Sequence, residues 1–272
     1  MKVGKLYICP TPIGNLEDIT IRTLNVLKEV DLIAAEDTRT SLKLLNHYEI
    51  KKPLTSYHKY NIKEKSGYLI DKIRLGDNIA LISDAGMPGI SDPGQELIKI
   101  AIDHEIQVVV LPGATASITA LVASGLSTDK FVFQGFLSSK NSERKKDLEG
   151  LKKEERTLIF YESPHRLLKS LEDLLNIFGN RKIAIARELT KFYEEVFRGS
   201  IEEALVSFGN RLIKGEIVMV VEGAEEIEEE VDIKAELVKL IDQGLSKKEA
   251  VKKLSAEKNL SKNLVYKNSL EI

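Results

Sequence analysis

The regular alternation of short apolar runs with amphipathic stretches in the first half of the chain limits its possible folds most strongly. The apolar runs predict strands at 6–9, 32–35, 79–83 and 108–111, and the stretches between them predict helices at 19–30, 41–48, 62–75, 93–105 and 115–124. Strands that are apolar on both faces and alternate with helices are typical of a parallel sheet covered on two sides. Residues 1–128 are therefore predicted to form an N-terminal α/β domain.

In residues 129–224, predicted strands and helices do not alternate regularly. Apolar runs predict strands at 131–136, 157–161, 182–187, 195–199 and 216–222, and amphipathic stretches predict helices at 142–153, 164–178 and 201–208. Two of these strands follow one another directly between 182 and 199, which parallel neighbours cannot do without a crossover connection. We therefore predict a second α/β domain that contains a mixed sheet.

The last part of the chain is predicted to be a small helical segment. The acidic run EEIEEEVD at 225–232 is expected to act as a linker. Residues 232–272 are rich in lysine and predict helices at 234–242, 247–254 and 261–267, with Ser246 capping the second. The expected fold class is thus α/β, with two α/β domains and a C-terminal segment resembling a helix–turn–helix.

The composition excludes several classes of protein. Among the 272 residues, 43% are hydrophobic and 30% are charged, which excludes a disordered or fibrous chain. No run approaches the roughly 18 apolar residues that a membrane span needs, and the start lacks the apolar region of a signal peptide. The single cysteine, Cys9, cannot form an internal disulfide, and no Cys/His spacing suits zinc. We expect a soluble, cytoplasmic protein without a metal site.

The charge of the chain gives no general sign of nucleic-acid binding. The net charge is −2 at pH 7, so no overall positive field surrounds the protein. Lysine and arginine are nevertheless concentrated at 57–65, at 138–146 and in the terminal segment. These segments are either solvated surface or contacts for RNA phosphates, which are bound through such side chains.

Four loop segments follow predicted strands and are candidates for a binding site, because ligands of open α/β sheets bind beyond the carboxyl ends of the strands. They are PTPIG at 10–14, EDTR at 36–39, SDAGMPGISDPG at 83–94 and PGATA at 112–116. Asp84, at a strand end, suits a ribose hydroxyl or a ligand amine, or else stabilises a turn. Asp92 is predicted to cap the next helix, with Pro93 at its first position and Gln95 closing a capping box.

The sequence lacks the phosphate-binding P-loop, the G-x-G-x-x-G fingerprint, the G-x-S-x-G elbow and H-E-x-x-H. Phosphate binding by a P-loop and hydride transfer therefore lose support. His165, within ESPHR at 162–166, is either a ligand contact or part of a helix start. The charged cluster from Glu36 to Arg39 either forms an ion pair at a helix start or contacts a substrate.

Seven segments together resemble the tetrapyrrole methylase superfamily: in chain order they are PTPIGNLEDIT, AAEDTR, SDAGMPGISDPG, PGATA, FQGFL, FYESPHR and RELTK. The EDTR and ESPHR segments resemble its ribosomal RNA branch, whose members methylate the 2′-oxygen of a cytidine in small-subunit rRNA. The resemblance covers residues 4 to about 223 and extends to the terminal helical segment.

The resemblance implies two α/β domains with S-adenosylmethionine in the cleft between them, and a homodimer that acts on 16S rRNA in the small ribosomal subunit. By position, the implied cofactor contacts are Ile13, Ser83, Asp84, Met87, Thr115, Ala116, Glu162 and Leu189. The contacts from the second domain are expected to be made largely by backbone groups.

Methylation of a ribose hydroxyl mainly requires alignment of the reactants and removal of the hydroxyl proton. From their position in the crevice and the branch resemblance, Glu36 and Asp37 are candidates for the base, and Arg39 is a candidate for the cation that orients the substrate. His58 is a reserve candidate, and the chemistry requires no metal. Two other functions remain open: a small-molecule methyltransferase of the tetrapyrrole type, and a non-enzymatic RNA-binding assembly factor.

Overall fold

A computed structural model describes residues 2–225, 232–258 and 260–272. The chain divides into two compact units, Met1–Ala224 and Glu225–Ile272. The larger unit contains two five-stranded sheets, and the smaller one is helical.

The first sheet is parallel throughout, as predicted. Its strands are β1 (Lys5–Ile8), β2 (Leu32–Ala35), β3 (Leu54–Ser56), β4 (Ile79–Ile82) and β5 (Gln107–Val110), in the order β3-β2-β4-β1-β5. All four residues of β2 and of β4 are buried, which agrees with apolar strands covered on both faces. Because all five strands run in the same direction, their carboxyl ends and the loops that follow lie at one edge.

Helices α1 (Ile21–Glu29), α2 (Thr38–His47), α3 (Ile62–Arg74), α4 (Gln95–Asp103) and α5 (Ala116–Ser124) alternate with these strands. The predicted helix at 19–30 is shorter, because residues Leu16–Asp18 form a 3₁₀ turn and Thr20 caps α1. Helix α2 begins three residues earlier than predicted, because the Asp37 side chain accepts a hydrogen bond from the Arg39 N–H and caps it.

The predicted start of the helix at 93–105 was wrong. Helix α4 begins at Gln95, and Gly94, with φ of 155°, occupies the cap position without any side-chain hydrogen bond. A Cβ atom on Gly94 would lie 3.0 Å from the Gly89 N, so the turn leaves no room for a larger residue. Asp92 therefore does not cap the helix, and its carboxylate is left for another role.

The second sheet is mixed, as predicted. Its strands are β6 (Phe131–Phe136), β7 (Thr157–Glu162), β8 (Lys182–Arg187), β9 (Glu195–Ser200) and β10 (Ile217–Val221), in the order β6-β7-β10-β8-β9. Strands β6 and β7 are parallel, whereas β10 is antiparallel to β7 and β8. The beginning of β10 therefore lies beside the end of β7, with Ile217 opposite Glu162.

Helices α6 (Asn141–Leu151), α7 (Leu167–Phe178) and α8 (Ile201–Gly209) accompany the second sheet. Its opposite face is covered by α5, whose Ala120 and Leu121 pack in one apolar cluster with Ile159, Ala184 and Val218. Helix α5 thus follows the last strand of the first sheet and packs on the second sheet. This packing brings the loop before α5 close to the strand ends of both sheets.

The terminal unit contains α9 (Ile233–Asp242), α10 (Lys247–Glu257) and α11 (Lys262–Ser269) around a small apolar core. Ser246 caps α10, as predicted, and its cap is a capping box formed with Glu249. The acidic segment predicted as a linker lies mostly outside the described residues, at 226–231. None of the helices in the described ranges has the length and apolar character that crossing a membrane requires.

Candidate functional site

A cavity of about 290 Å³ lies between the carboxyl edge of the first sheet and the neighbouring end of the second sheet. The loops after β1, β4 and β5 line one side, and the ends of β6 and β7 with the start of β10 line the other. The lining residues are Ile13, Ala85, Gly86, Met87, Ile90, Ser91, Asp92, Thr115, Ala116, Phe136, Tyr161, Glu162, Ser163, Pro164, Gly215, Glu216, Ile217 and Val218. Most of these side chains are apolar, and a few polar groups converge among them, as in small-molecule sites.

The loops after β1 and β4 are joined by a pair of backbone hydrogen bonds. The Thr11 N–H donates to the Gly86 carbonyl at 2.9 Å, and the Gly86 N–H donates to the Thr11 carbonyl at 3.0 Å. Gly86 has φ of 78°, and a Cβ atom there would lie 3.2 Å from Ile13 Cγ2. Glycine at 86 thus allows both the left-handed turn and the close approach of Ile13, which lines the cavity.

The loop after β5 is packed just as closely against the loop after β1. A Cβ atom on Gly113 would lie 2.3 Å from Pro10 Cγ, so a glycine is required there. The loop ends at Thr115, whose side chain does not cap α5. The backbone N–H groups of the first turn of α5 therefore have no intrahelical partner, and Thr115 and Ala116 line the cavity.

Tyr161 forms much of the lining from the second sheet. Its ring lies edge-on to Phe133 and Phe136, with centroid distances of 5.0 and 5.4 Å. Burial raises the pKa of Tyr161, although hydrogen bonds with Ser117 act in the opposite direction. The Tyr161 side chain thus stays neutral and links the second sheet to the first turn of α5.

The Glu162 carboxylate is held by the ESPHR segment itself. It accepts hydrogen bonds from the Ser163 N–H at 2.7 Å and from the Ser170 hydroxyl, and it pairs with Arg166 at 2.7 Å. Arg166 also donates to the Leu137 carbonyl. Because its side chain is fully engaged and has no exposed surface, Glu162 can offer a ligand only its backbone groups.

Three carboxylates, those of Glu36, Asp84 and Asp92, interact with one another at the first-sheet side of the cavity. Burial raises the pKa of Asp92, the charges of Asp84 and Glu216 raise it further, and a Ser83 hydrogen bond lowers it. The pKa of Glu36 is raised by burial and then by Asp92 and Asp84. The pKa of Asp84 is also raised, mainly by burial. A cationic group in the cavity would relieve the mutual repulsion of these carboxylates.

The EDTR segment separates its two acidic residues into different environments. The Asp37 carboxylate accepts from Arg39 Nε at 3.1 Å and from Arg39 Nη2 at 2.7 Å. Hydrogen bonds from the Arg39 side chain and backbone lower the pKa of Asp37 to about 2. The Asp37 N–H donates to Asp84 Oδ1 at 3.2 Å, which connects this segment to the loop after β4.

The structure brings together most of the residues predicted to contact a cofactor. Those that line the cavity are Ile13, Met87, Thr115, Ala116 and Glu162. Ser83 is buried behind the lining and donates to the Gly86 carbonyl. Leu189 packs in the apolar cluster that contains Ile13 and Val218, and Asp84 lies beside Asp37. The candidate base and orienting residues Glu36, Asp37 and Arg39 lie outside the lining.

Sequence reasoning missed five lining residues that carry polar side chains: Ser91, Asp92, Tyr161, Ser163 and Glu216. Asp92 was assigned to a helix cap, although the Asp-Pro pair fits a rigid loop equally well. Tyr161 lies in β7 and Glu216 directly before β10, and the apolar pattern of these strands gives no functional signal. Within the described ranges, no three His, Cys, Asp or Glu side chains are grouped so that they could hold a metal ion.

The basic segment at 138–146 is less available for RNA than its composition suggests. Arg144 is buried and pairs with the equally buried Asp173, with Nε 2.7 Å from Oδ2. Lys140 pairs with Glu143 at 2.9 Å. Much of the positive charge of this segment is thus neutralised by neighbouring carboxylates.

Comparison with known proteins identifies the family. Residues 5–205 match the family of Tetrapyrrole (Corrin/Porphyrin) Methylases. The protein named Ribosomal RNA small subunit methyltransferase I of Bacillus subtilis (strain 168) is 50% identical over 273 residues, covering 97% of this chain and 93% of that protein. The protein of the same name from Synechocystis sp. is 47% identical over 275 residues and covers 99% of both chains.

Solved structures of other methyltransferases share the fold. A cobalt precorrin-4 methyltransferase of cobalamin biosynthesis has a TM-score of 0.63 at 17% identity, covering 80% of this chain and 94% of that one. A uroporphyrin-III C-methyltransferase from Thermus thermophilus, complexed with S-adenosyl homocysteine, has a TM-score of 0.57 at 19% identity, covering 80% and 97%. The chain therefore belongs to the tetrapyrrole methylase family and groups with the relatives named ribosomal RNA small subunit methyltransferase I.

Proposed function

We propose that this chain transfers a methyl group from S-adenosylmethionine to the 2′-oxygen of a cytidine ribose in 16S rRNA of the small ribosomal subunit. The observation that carries the proposal is the cavity between the two sheets, in which apolar side chains, carboxylates and the start of α5 converge. The names of the relatives at 50% and 47% identity support ribosomal RNA as the substrate.

The residues of the cavity fit S-adenosylmethionine by their chemistry. The cofactor carries a positive sulfonium and an ammonium group, which the carboxylate of Asp92 complements, whereas the lining carboxylate of Glu216 pairs with Lys191 at 3.0 Å. It also carries a carboxylate, which suits the N–H groups and the positive end of the dipole at the start of α5. Ile13 and Met87 provide apolar contacts for the adenosyl group.

We propose direct contacts to the cofactor from the predicted residues that line the cavity: Ile13, Met87, Thr115, Ala116 and the backbone of Glu162. Ser83, Asp84 and Leu189 would support these contacts from the next layer. When bound, S-adenosylmethionine supplies a methyl group attached to a sulfur that is a good leaving group. The protein then has to align the ribose hydroxyl and remove its proton.

We propose Glu36 as the base rather than Asp37. A carboxylate whose pKa is raised holds a proton better than an ordinary one, and Glu36 has a raised pKa because it is partly buried beside Asp92 and Asp84. Asp37 has a pKa of about 2 and is a weak base, since Arg39 stabilises its ionised form. The interaction of Glu36 with Asp92, a lining residue, supports a location next to the cavity.

Arg39 is proposed to orient the RNA. Its side chain is 88% exposed, and Asp37 holds it in a fixed position through two hydrogen bonds. A guanidinium fixed in this way suits an RNA phosphate. We also propose a homodimer, for which the exposed Ile118 and Val122 on α5 offer an apolar surface.

The proposal is tested by methyl transfer from S-[methyl-³H]adenosylmethionine to small ribosomal subunits that lack the modification. Wild-type protein is expected to label the RNA, and Glu36→Gln is expected to reduce the rate by about 10²- to 10⁴-fold, as for loss of a general base. Glu29→Gln, which removes an exposed carboxylate at the end of α1, serves as the matched control with unchanged rate. Absence of label from RNA, with cofactor binding intact, would favour a small-molecule acceptor.

A further inference from the structure

The turn at residues 57–61, which follows β3, is held rigidly at both ends. At its start, the fully buried Tyr57 donates its N–H to the Ala35 carbonyl at 2.7 Å, and its hydroxyl bonds to Ser66 Oγ at 3.1 Å. At its end, Asn61 Oδ1 accepts from the His58 N–H at 2.9 Å, and Asn61 Nδ2 donates to the Ser56 carbonyl at 3.2 Å. Of the three residues between these anchors, His58 is partly buried, and Lys59 and Tyr60 are exposed.

Tyr60 is presented to solvent at the tip of this turn. It is 83% exposed, and the Lys59 ammonium lies 5.0 Å from the centroid of its ring. A tyrosine on a fixed turn loses little conformational freedom when it binds a partner, because the turn is already ordered and the side chain has only two rotatable bonds to the ring. Tyr60 is therefore suited to contact a planar ligand.

The charge around Tyr60 favours an anionic partner. The segment at 57–65 contains Lys59, Lys63 and Lys65 but only one acidic residue, Glu64. Another exposed aromatic surface, formed by Phe192 and Tyr193, is followed directly in the chain by two glutamates. Of these two surfaces, only the one around Tyr60 combines an exposed ring with excess positive charge. Proteins bind single-stranded RNA through this combination.

The turn is also adjacent to the proposed base. Strands β2 and β3 are parallel, and Ala35 pairs in register with Ser56. Glu36 and Tyr57 are the next residues of the two strands, so the turn begins beside Glu36. The ammonium of Lys59 is close enough to act on the Glu36 carboxylate. A nucleotide whose ribose reaches Glu36 would thus have its base within the neighbourhood of this turn.

We infer that Tyr60 stacks on the nucleobase of the target nucleotide and that Lys59 contacts an adjoining phosphate. This inference rests on the proposed function. Proteins that recognise RNA in sequence-specific fashion bind mostly single-stranded segments, whose unstacked bases stack on aromatic side chains. The stacked base would fix the orientation of its ribose so that the 2′-hydroxyl faces Glu36.

The inference is tested with Tyr60→Ala, Tyr60→Phe and Tyr193→Ala in the methyl-transfer assay on small subunits. Tyr60→Ala is expected to raise KM for the subunit by about five- to 150-fold, the range for loss of one base–aromatic stack, with an unchanged Kd for S-adenosylmethionine. Tyr60→Phe keeps the ring and is expected to stay within about twofold of wild type. Tyr193→Ala, the matched exposed tyrosine, is expected to leave KM unchanged.

A second experiment identifies the stacked base. The assay is repeated on subunits reconstituted with rRNA in which the target nucleotide, once mapped, has lost its base but keeps its 2′-hydroxyl. If Tyr60 stacks on that base, Tyr60→Ala and wild type will have equal KM values on the abasic substrate. An equal effect of Tyr60→Ala on both substrates, or a wild-type KM for Tyr60→Ala on intact subunits, would overturn the inference and leave the proposed function standing. If wild type transfers no methyl group to RNA, the proposed function fails and the stacking inference fails with it.

Discussion

Replacement of Gly86 by alanine tests whether the cavity holds the cofactor. The added Cβ atom would lie 3.2 Å from Ile13 Cγ2, which is closer than ordinary contact, and the left-handed φ of 78° adds backbone strain. Left-handed backbone costs roughly 1–2 kcal/mol for a residue with a Cβ atom. Overpacking costs about 1–3 kcal/mol, and a single contact at this distance favours the lower end of that range.

Gly125→Ala is the matched control for this substitution. Gly125 has nearly the same φ, 75°, but a Cβ atom there would meet nothing within 4 Å, and the residue lies outside the cavity lining. The backbone strain should destabilise both variants, with a decrease of about 2–4 °C in Tm per kcal/mol of strain. Only Gly86→Ala should also weaken cofactor binding, because Ile13 has to move within the lining.

The expected result is an increase of about tenfold in the Kd for S-adenosylmethionine, equivalent to about 1.4 kcal/mol, for Gly86→Ala alone. Isothermal titration calorimetry measures the Kd, and thermal unfolding measures the common loss of stability. An unchanged Kd for Gly86→Ala would refute the location of the cofactor in this cavity. An equal increase for Gly125→Ala would show that binding responds only to general destabilisation.

Three other predictions concern stability, pH dependence and thiol reactivity. Arg144→Leu and Asp173→Leu should each lower the free energy of unfolding by about 3–5 kcal/mol in urea, because each removes one partner of a buried ion pair. The double variant should recover most of that loss, and additive losses would contradict this reasoning. The methyl-transfer rate should fall with decreasing pH through the raised pKa of Glu36, since the base acts in its ionised form, so the acid limb should lie above the ordinary glutamate value of about 4.3; a limb at or below that value would argue against Glu36. Burial raises the pKa of Cys9 to about 12, so a thiol reagent at pH 8 should label Cys9 only after unfolding; rapid labelling of the folded protein would contradict its burial.

The positions of most strands could be predicted because each is a short apolar run. All four residues of β4 are buried, and burial on both faces requires an uninterrupted apolar sequence. Strand β3 was missed because its three residues, Leu54–Ser56, include two hydroxyl side chains and are only partly buried at the sheet edge. An edge strand needs fewer apolar residues, and its pairing with β2 is a tertiary property.

The first-sheet side of the candidate site could be predicted from the order of strands and loops, whereas on the second-sheet side only Glu162 was predicted to line it, and that from the family resemblance. Parallel strands place successive loops at one edge, so the segments containing Ile13, Met87 and Thr115 were expected to converge. The contribution of Glu216 could not be foreseen, because it depends on β10 running antiparallel to β7 and starting at the same end of the sheet. Asp92 was misassigned because a capping sequence and a rigid Asp-Pro loop have the same local composition.

The difference between Glu36 and Asp37 also depends on contacts that the sequence does not specify. Both residues precede α2 and looked equivalent as bases. In the folded chain, Asp37 turns toward Arg39, while Glu36 lies beside Asp92, which is distant in sequence. Arg144 likewise is not part of the basic surface, because it pairs with Asp173. Asp173 lies on a different helix, so the sequence does not reveal this contact.

The most direct test of the account is the chemical identity of the methylated nucleoside. Small-subunit rRNA labelled by the wild-type protein is digested completely to nucleosides and analysed by mass spectrometry against standards for sugar- and base-methylated cytidine. The account predicts 2′-O-methylcytidine as the labelled product, formed about 10²- to 10⁴-fold more slowly when Glu36→Gln replaces wild type. A methyl group on the cytosine base, or on another nucleoside, would contradict the proposed transfer to a ribose hydroxyl.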